Sequence, residues 1–551
     1  MPEYSARLAQ AASCKVRDLR RPKSFFDLLR KEFGQTASLS TPLHRVCSLA
    51  RRLGVTTVVI EELEKAGEIT EENEDLSKLK VWHGGPPVLR ISFFSQPFSE
   101  PADIPNQPQT SFIGYALWKC DYTTRSQRKA SGRVYEAVMP PPDHAYIHIR
   151  GGVSWRCRVQ DHFFTAHGYP FFQQNALTNV CSHAALRTIA ACFSPEDQVL
   201  TFRQMNDMLA KQPEDISNGL LTHEIASLLE TTGAEISVYA YNDLALPVNK
   251  VPYQRLAYGS LESGYPAMLI FGDSTLRETA ETEMFLHAVP VFGHTFNPDM
   301  WLPHVERARF NLGRTLGFIP SDFWLGSLIG HDDNFGPHYS IPRHYLRSMR
   351  SAAMEHPQSM STEGVAWLLT TLPKGVRLRS VEAEPICTSV LQLRTQELKK
   401  HQEIWTKRLL ENLAERQLVL RSLLLTKDQY EKHLKSIEGW DEKEKLSPEN
   451  IQAILDTIPL DLFWMVEISL LELFPTNRRK VGEMIIDPRE PGAKMTHVQV
   501  EKSGLGLRLP GQWTSWPQDG VRRARPLPLT LTSHCPLYGC EQAEKEAIPQ
   551  I

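Results

Sequence analysis

Cys181 stands where a loop rich in amides, Phe171-Phe-Gln-Gln-Asn-Ala-Leu-Thr-Asn-Val180, runs into a segment with helical apolar spacing. Thr178 or Asn179 is expected to cap that helix, with Cys181, Ala185, Ile189 and Cys192 on one face. A thiol at a helix start meets the partial positive charge of unpaired N–H groups, which favours the nucleophilic thiolate. The competing reading is a small apolar residue at a buried helix start, because free cysteine is among the most buried residue types.

Two later stretches hold groups that would complete the chemistry. His287 falls in the strongly apolar, strand-like run Phe285-Leu-His-Ala-Val-Pro-Val-Phe-Gly-His294. Beyond it, Leu328-Ile-Gly-His-Asp-Asp-Asn-Phe-Gly-Pro337 reads as a strand ending in two carboxylates and an amide. An acid there would hold the imidazole in one tautomer, giving nucleophile, base and orienter in Cys181, His287 and Asp332, with Asp333 as the alternate. By strand alternation Asp332 is expected to face His287 while Asp333 and Asn334 serve the turn. A core histidine and ordinary turn chemistry are the plain readings of the same residues.

The elements that must position these groups follow from patterning. From Pro170 onward, helices are expected at Cys181, over 202–210 and over Thr222–Thr231, the last capped by Thr222, then strands over 236–241, 266–272 and 285–293. Helices followed by a run of strands make an α+β domain, the helices gathered on one side of an antiparallel sheet. Upstream, a helix over 44–53 precedes strands at 57–60, Leu89–Phe94, 112–118, 134–139 and 145–149, with an irregular Pro-rich loop over 95–109. Downstream, a long helical stripe over 391–440 carries Leu398, Trp405, Leu409 and Leu413, interrupted by the continuously apolar 418–425, before strands at 463–470 and 480–487. The expected divisions are a loosely ordered basic arm (1–40), a β-rich region (41–165), the central domain (166–345), a helical or α+β region (346–490) and an irregular tail (491–551).

Composition narrows the class. The 551 residues are 41% apolar with a net charge of −3, enough to bury several cores and giving no global pull toward nucleic acid or an anionic membrane. Arg522, Arg523 and Arg525 are too small a cluster to claim nucleic acid. The nine cysteines are odd in number. With no charged-then-apolar leader at Met1-Pro2-Glu3 and no apolar run long enough to span a bilayer, they are expected to be reduced thiols in the cytoplasm. No cofactor or metal is expected; Cys535, Cys540 and His534 are too few and too loosely spaced for zinc.

Over roughly 165–340 the ordered set resembles the papain-like cysteine peptidases, in particular the bacteriocin-leader-processing (double-glycine) branch. The matching features are the Gln-rich loop before Cys181, Ala184 and Ala185 after it, Gly219-Leu220 with Thr222, Gly264-Tyr-Pro266, and His287-Ala-Val with Gly293-His294. The resemblance implies a papain-like central domain cleaving an amide bond of a peptide or protein through a Cys181–His287–Asp332 triad. The family places an oxyanion-hole glutamine six residues before the cysteine. Asn175 holds that position here and Gln174 the one before it, so the role passes to Gln174 with the Cys181 backbone N–H, Asn175 being the other candidate. Ser182 and His183 stand where the family commonly has Gly directly after the cysteine. Two other functions fit the same residues: an inactive fold of this type serving as a scaffold, its flanking regions holding a protein partner, and a Cys-dependent acyltransferase or transglutaminase-like enzyme.

Overall fold

The computed structural model describes residues 5–20, 41–64, 67–78, 88–122, 130–142, 147–175, 180–194, 199–211, 219–241, 251–273, 286–297, 317–343, 345–348, 363–401, 403–437, 445–492, 497–516, 523–529 and 531–535. The chain is α+β, built on three main sheets.

The first sheet is a five-stranded antiparallel meander of β1 (Ala11–Asp18), β2 (Thr57–Leu63), β3 (Leu89–Phe94), β4 (Phe112–Tyr122) and β5 (Ala130–Val138). Alternation gives it two buried faces. Phe93, Ala116 and Trp118 pack on Leu43, Val46 and Ala50 of helix α1 (Thr41–Arg52). Phe94, Tyr115 and Leu117 on the other face pack on Trp155 and Phe164 of the hairpin β7 (Val153–Val159) and β8 (His162–Gly168). β6 (Ile147–Ile149) leaves this unit and pairs with the central sheet. The expected basic arm is thus corrected over 11–18: β1 is an edge strand in which Val16 reaches the core while charged neighbours face outward, a pattern too sparse to read as a strand. Within the expected irregular loop, Pro101–Asn106 winds into a 3₁₀ turn closed by the Asp103 carboxylate on the Glu100 N–H.

The central sheet holds the candidate residues. Its strands run β13 (Gly336–Pro342), β12 (Leu325–Asp332), β11 (Leu286–Phe296), β10 (Ala267–Asp273) and β14 (Glu363–Pro373), with β9 (Ala234–Ala240) on the far side of β14. β14 lies beyond the expected end of the central domain at 345. One face of the sheet carries the helix α3 (Cys181–Ala190), with α5 (Thr222–Thr231) beside it. The other carries α6 (Tyr253–Glu262), absent from the sequence reading because its charged Arg255 and Glu262 are buried rather than displayed. Gly330 is required where β12 closes on β11, since a Cβ there would lie 2.2 Å from the Pro290 carbonyl oxygen. α5 begins at Thr222 as expected, but its cap is Glu224, whose carboxylate accepts the Leu221 N–H at 2.7 Å.

The third sheet follows α7 (Ser380–Leu393) and α8 (Ile404–Glu415), in the order β15 (Val419–Thr426), β16 (Leu462–Ser469), β17 (Gly482–Ile486), β18 (Gly504–Leu509), β19 (Gln512–Ser515) and β20 (Arg523–Pro526). The expected long helical stripe ends at Arg416, whose left-handed backbone (φ 61°) turns the chain into β15. The continuous apolar run there is a strand buried on both faces. Likewise the expected irregular tail is corrected over 504–526 where it is described: β18, β19 and β20 continue the sheet, and Leu507, Leu509 and Trp513 are core residues.

A buried ion network ties this sheet to α6. Arg421 on β15 donates to Glu262 at 2.9 and 3.1 Å and to Glu467 at 3.1 Å; Glu262 also accepts from His294 at 2.6 Å, and Glu467 from Lys480 at 2.8 Å. Removing one partner of such a cluster strands the others without water. Arg421→Ala should therefore destabilise the chain by about 3–5 kcal/mol, seen as a lowered urea midpoint. Arg20→Ala, which breaks an exposed pair with Asp18, should leave that midpoint unchanged.

Candidate active site

Every residue of α3 from Ser182 to Ala190 is buried, the polar Ser182, His183, Arg187 and Thr188 included. Ala185 and Ile189 face Met268, Ile270, Ala288 and Leu369 of the sheet. Cys192, expected on that face, lies past the helix end and packs instead beside Ile149 and Tyr169. Arg187 is buried under the rings of Phe172, Tyr135 and Phe202, with its charge 3.9 Å from the Phe172 ring centre. Thr188 donates to the Pro170 carbonyl at 2.9 Å, fixing the start of the amide loop against the helix. Thr178 and Asn179 lie outside the described residues. The N-cap is Val180, with no side-chain cap, so the first-turn N–H groups around Cys181 have no side-chain acceptor at that position.

Cys181 is half-buried, its thiol donating to the Leu286 carbonyl at 3.9 Å, and it stands near enough to the His287 imidazole to favour the charged ring. His287, second residue of β11, pairs with Phe271 on β10 and sits edge-on to that ring at 5.4 Å. Its Nε2 lies 3.4 Å from Asp332 Oδ2 and 3.3 Å from Asp333 Oδ1, with the Asn334 amide nitrogen at 3.5 Å. Thus all three of Asp332, Asp333 and Asn334 reach the ring, and the expected alternation is corrected. Asp332 itself shapes the turn: its Oδ1 accepts the N–H groups of Asn334 and Phe335 at 2.9 and 3.2 Å. That tight Asx turn folds Asp333 back beside it.

The protonation of the cluster follows from these contacts. Burial disfavours a charged imidazole and is the largest single effect. The bonds to Asp332 and Cys181 and the charges of Asp333 and Asp332 outweigh it, raising the His287 pKa to about 10. Burial first, and the Asp332 charge with it, push Asp333 up to about 6 against the attraction of His287. Both Asp333 oxygens are buried without a hydrogen-bond partner.

The amide loop is held from the first sheet. Gln173 pairs with Val134 through its N–H and its side-chain carbonyl, at 3.2 and 2.9 Å, and its own carbonyl accepts from Arg133 at 2.9 Å. Asn175 is buried and donates to Glu72 at 3.3 Å. Gln174, between them, is half-buried and without a hydrogen-bond partner among the described residues. Glu72, on α2 (Glu68–Lys78), is pinned by Arg133 and by Lys119 at 3.1 Å, and these cations hold its carboxyl well below the usual range despite complete burial. Glu72 and Arg133 escaped the sequence reading because a buried carboxylate on a Glu-rich helix has the same local signature as a solvated one.

Two other histidines near these stretches, His183 and His294, go elsewhere. His183 is buried against Asn206 at 3.2 Å, and His294 belongs to the Glu262 network. The atoms of His287, Asp332 and Asp333 lie within 4.8 Å of one another, a spacing that can also hold a metal ion.

Asp333 carries a stability cost with a definite sign. Its folded pKa of about 6 exceeds the ordinary 3.8, so between those values the folded chain binds more protons than the unfolded chain. Stability from this group is present at low pH and is lost as pH rises through about 6. Asp333→Asn should raise stability at pH 7 by roughly 1–3 kcal/mol, at 1.36 kcal/mol per unit, with little gain at pH 4. Urea midpoints of both proteins at the two pH values measure it, and an unchanged midpoint at pH 7 would contradict the assignment. In comparisons with protein-family models, curated proteins and solved structures the chain matched none, which leaves the geometry around Cys181 to carry the functional reading.

Proposed function

We propose that the chain is a cysteine hydrolase of amide bonds in a peptide or protein, its central domain being papain-like. The observation that carries this is the meeting of Cys181, His287 and Asp332, brought together from a helix start and two adjacent strands distant in sequence, with His287 Nε2 3.4 Å from Asp332 Oδ2. The helix on one face of an antiparallel sheet, with base and acid on neighbouring strands, supports the papain-like reading.

In this reading Cys181 and His287 react as a thiolate–imidazolium pair, the raised His287 pKa keeping the proton on the ring, and the thiolate adds to the substrate carbonyl. The Cys181 backbone N–H and the Gln174 amide meet the developing oxyanion, the latter because Gln173 and Asn175 are tied down on either side of it. His287 returns the proton to the leaving amine as the C–N bond breaks, then draws a proton from water as the thioester is hydrolysed. Asp332, bonded to the ring, orients it and balances the imidazolium. The seven described cysteines are free thiols, which suits a reducing compartment such as the cytoplasm. Among the described residues no helix is long and apolar enough to cross a membrane.

Two measurements test the proposal. Cys181→Ala and His287→Ala, each shown to be folded by circular dichroism, should lose hydrolysis of a fluorogenic peptide-amide library by a factor of about 10³ or more. Folded variants with full turnover would overturn it and favour the scaffold. Independently, iodoacetamide at pH 7 should label Cys181 at least about tenfold faster than the equally half-buried Cys14, whose thiol burial pushes up to about 11. Equal rates would mean that His287 does not activate the sulfur.

A further inference from the structure

We propose that His287, Asp332 and Asp333 form a binding site for one divalent cation of the zinc class, whose occupancy removes His287 from proton transfer. The site stands on geometry alone; the consequence rests on the reading of His287 as the base.

Four-coordinate zinc binds nitrogen and oxygen at about 2.0–2.2 Å, which places neighbouring ligand atoms about 3.3–3.5 Å apart. Nε2 lies 3.4 Å from Asp332 Oδ2 and 3.3 Å from Asp333 Oδ1. These separations suit a shared cation as well as a proton. Independently of that spacing, Asp333 is 5% exposed and both its oxygens lack a hydrogen-bond partner, although one of them is turned toward Nε2. Buried carboxylates are otherwise paired or bound to metal. Orientation of the ring requires one carboxylate, whereas a cation shared with Nε2 uses both Asp332 and Asp333. Two carboxylates and a neutral imidazole also match the charge of a divalent ion.

The site lies on the Nε2 edge of the ring. With Nε2 turned to the carboxylates, Nδ1 is the nitrogen left for Cys181. A cation on Nε2 takes the lone pair there and leaves the ring's one proton on Nδ1. Nδ1 then has no lone pair with which to accept the thiol proton, so metal and proton compete for one ring. Cys181 is not needed as a ligand, which separates this site from simple thiol capture of a heavy metal.

Cobalt(II) reports the difference, since a four-coordinate nitrogen and oxygen site gives visible bands without thiolate charge transfer. The full-length protein and Cys181→Ala should each bind one cobalt ion at this site, displaced by zinc. Asp333→Asn and His287→Gln, checked for folding by circular dichroism, should bind at least about tenfold more weakly. Should Asp333→Asn not fold, the loss in His287→Gln decides. Cobalt bands that carry thiolate character and vanish in Cys181→Ala would overturn the proposal. So would unchanged affinity in the ligand variants, or no bound cobalt. Turnover of the peptide-amide library should fall in proportion to occupancy. Binding without that fall would overturn the consequence and leave the site, while absence of turnover in metal-free protein would count against the hydrolase reading alone.

Discussion

An imidazole beside a thiol and faced by two buried carboxylates is the interaction on which the centre of this molecule depends. Two buried carboxylates face one ring nitrogen there, so the charges of His287 and Asp333 act on each other. Burial alone would keep His287 neutral; the acids reverse that, and the same crowding pushes Asp333 the other way. Geometry produces this arrangement before chemistry does. β11 sits between β10 and β12, and only the side-chain-free Gly330 lets β12 come close enough for the turn after Asp332 to deliver both carboxylates to Nε2.

The flanking units are parts of the same construction. The first sheet through Arg133 and α2 through Glu72 hold the amide loop, and α1 reaches the end of the central sheet, where Arg45 donates to the His338 carbonyl at 2.7 Å. The third sheet grips the back of α6 through Arg421, and Arg255 on the same helix is buried with Asp322 and Glu384. Charged side chains therefore occupy these junctions. Ion clusters of this kind add little net stability over an apolar substitute, but they tolerate few alternative arrangements. A site that needs atoms placed to within a fraction of an ångström gains from that restriction.

What the sequence made legible was periodic and local. β3 occupies Leu89–Phe94 and α5 Thr222–Thr231 as read, because alternating and 3.6-residue patterns survive where one face is buried and the other wet. The helix beginning at Cys181 was equally visible. Patterning failed where burial was two-sided or where charge went inside. β15 reads as a continuous apolar run, α6 hides its charges in ion pairs, and β1 keeps a single core residue in a polar strand. At the site, residue types and order were enough to nominate Cys181, His287 and Asp332. They did not show that a tight turn would bring Asp333 to the same nitrogen, since alternation along a strand stops applying at its last residue.

That last difference bears on why Asp333 is there at all. A buried carboxylate with neither oxygen bonded is a cost that folding by itself would remove, for asparagine fills the same volume with less desolvation. Such residues persist where something outside the resting fold uses them. Within a thiol–imidazole–acid mechanism the use would be electrostatic, a second negative charge holding the imidazolium through the addition step. With a cation the use would be ligation. Both draw on one physical fact: Nε2 is offered two acceptors where orientation of the ring requires one. The excess negative charge is compensated only when the ring is protonated or a metal is bound, so the resting site is built to hold a positive charge on that edge.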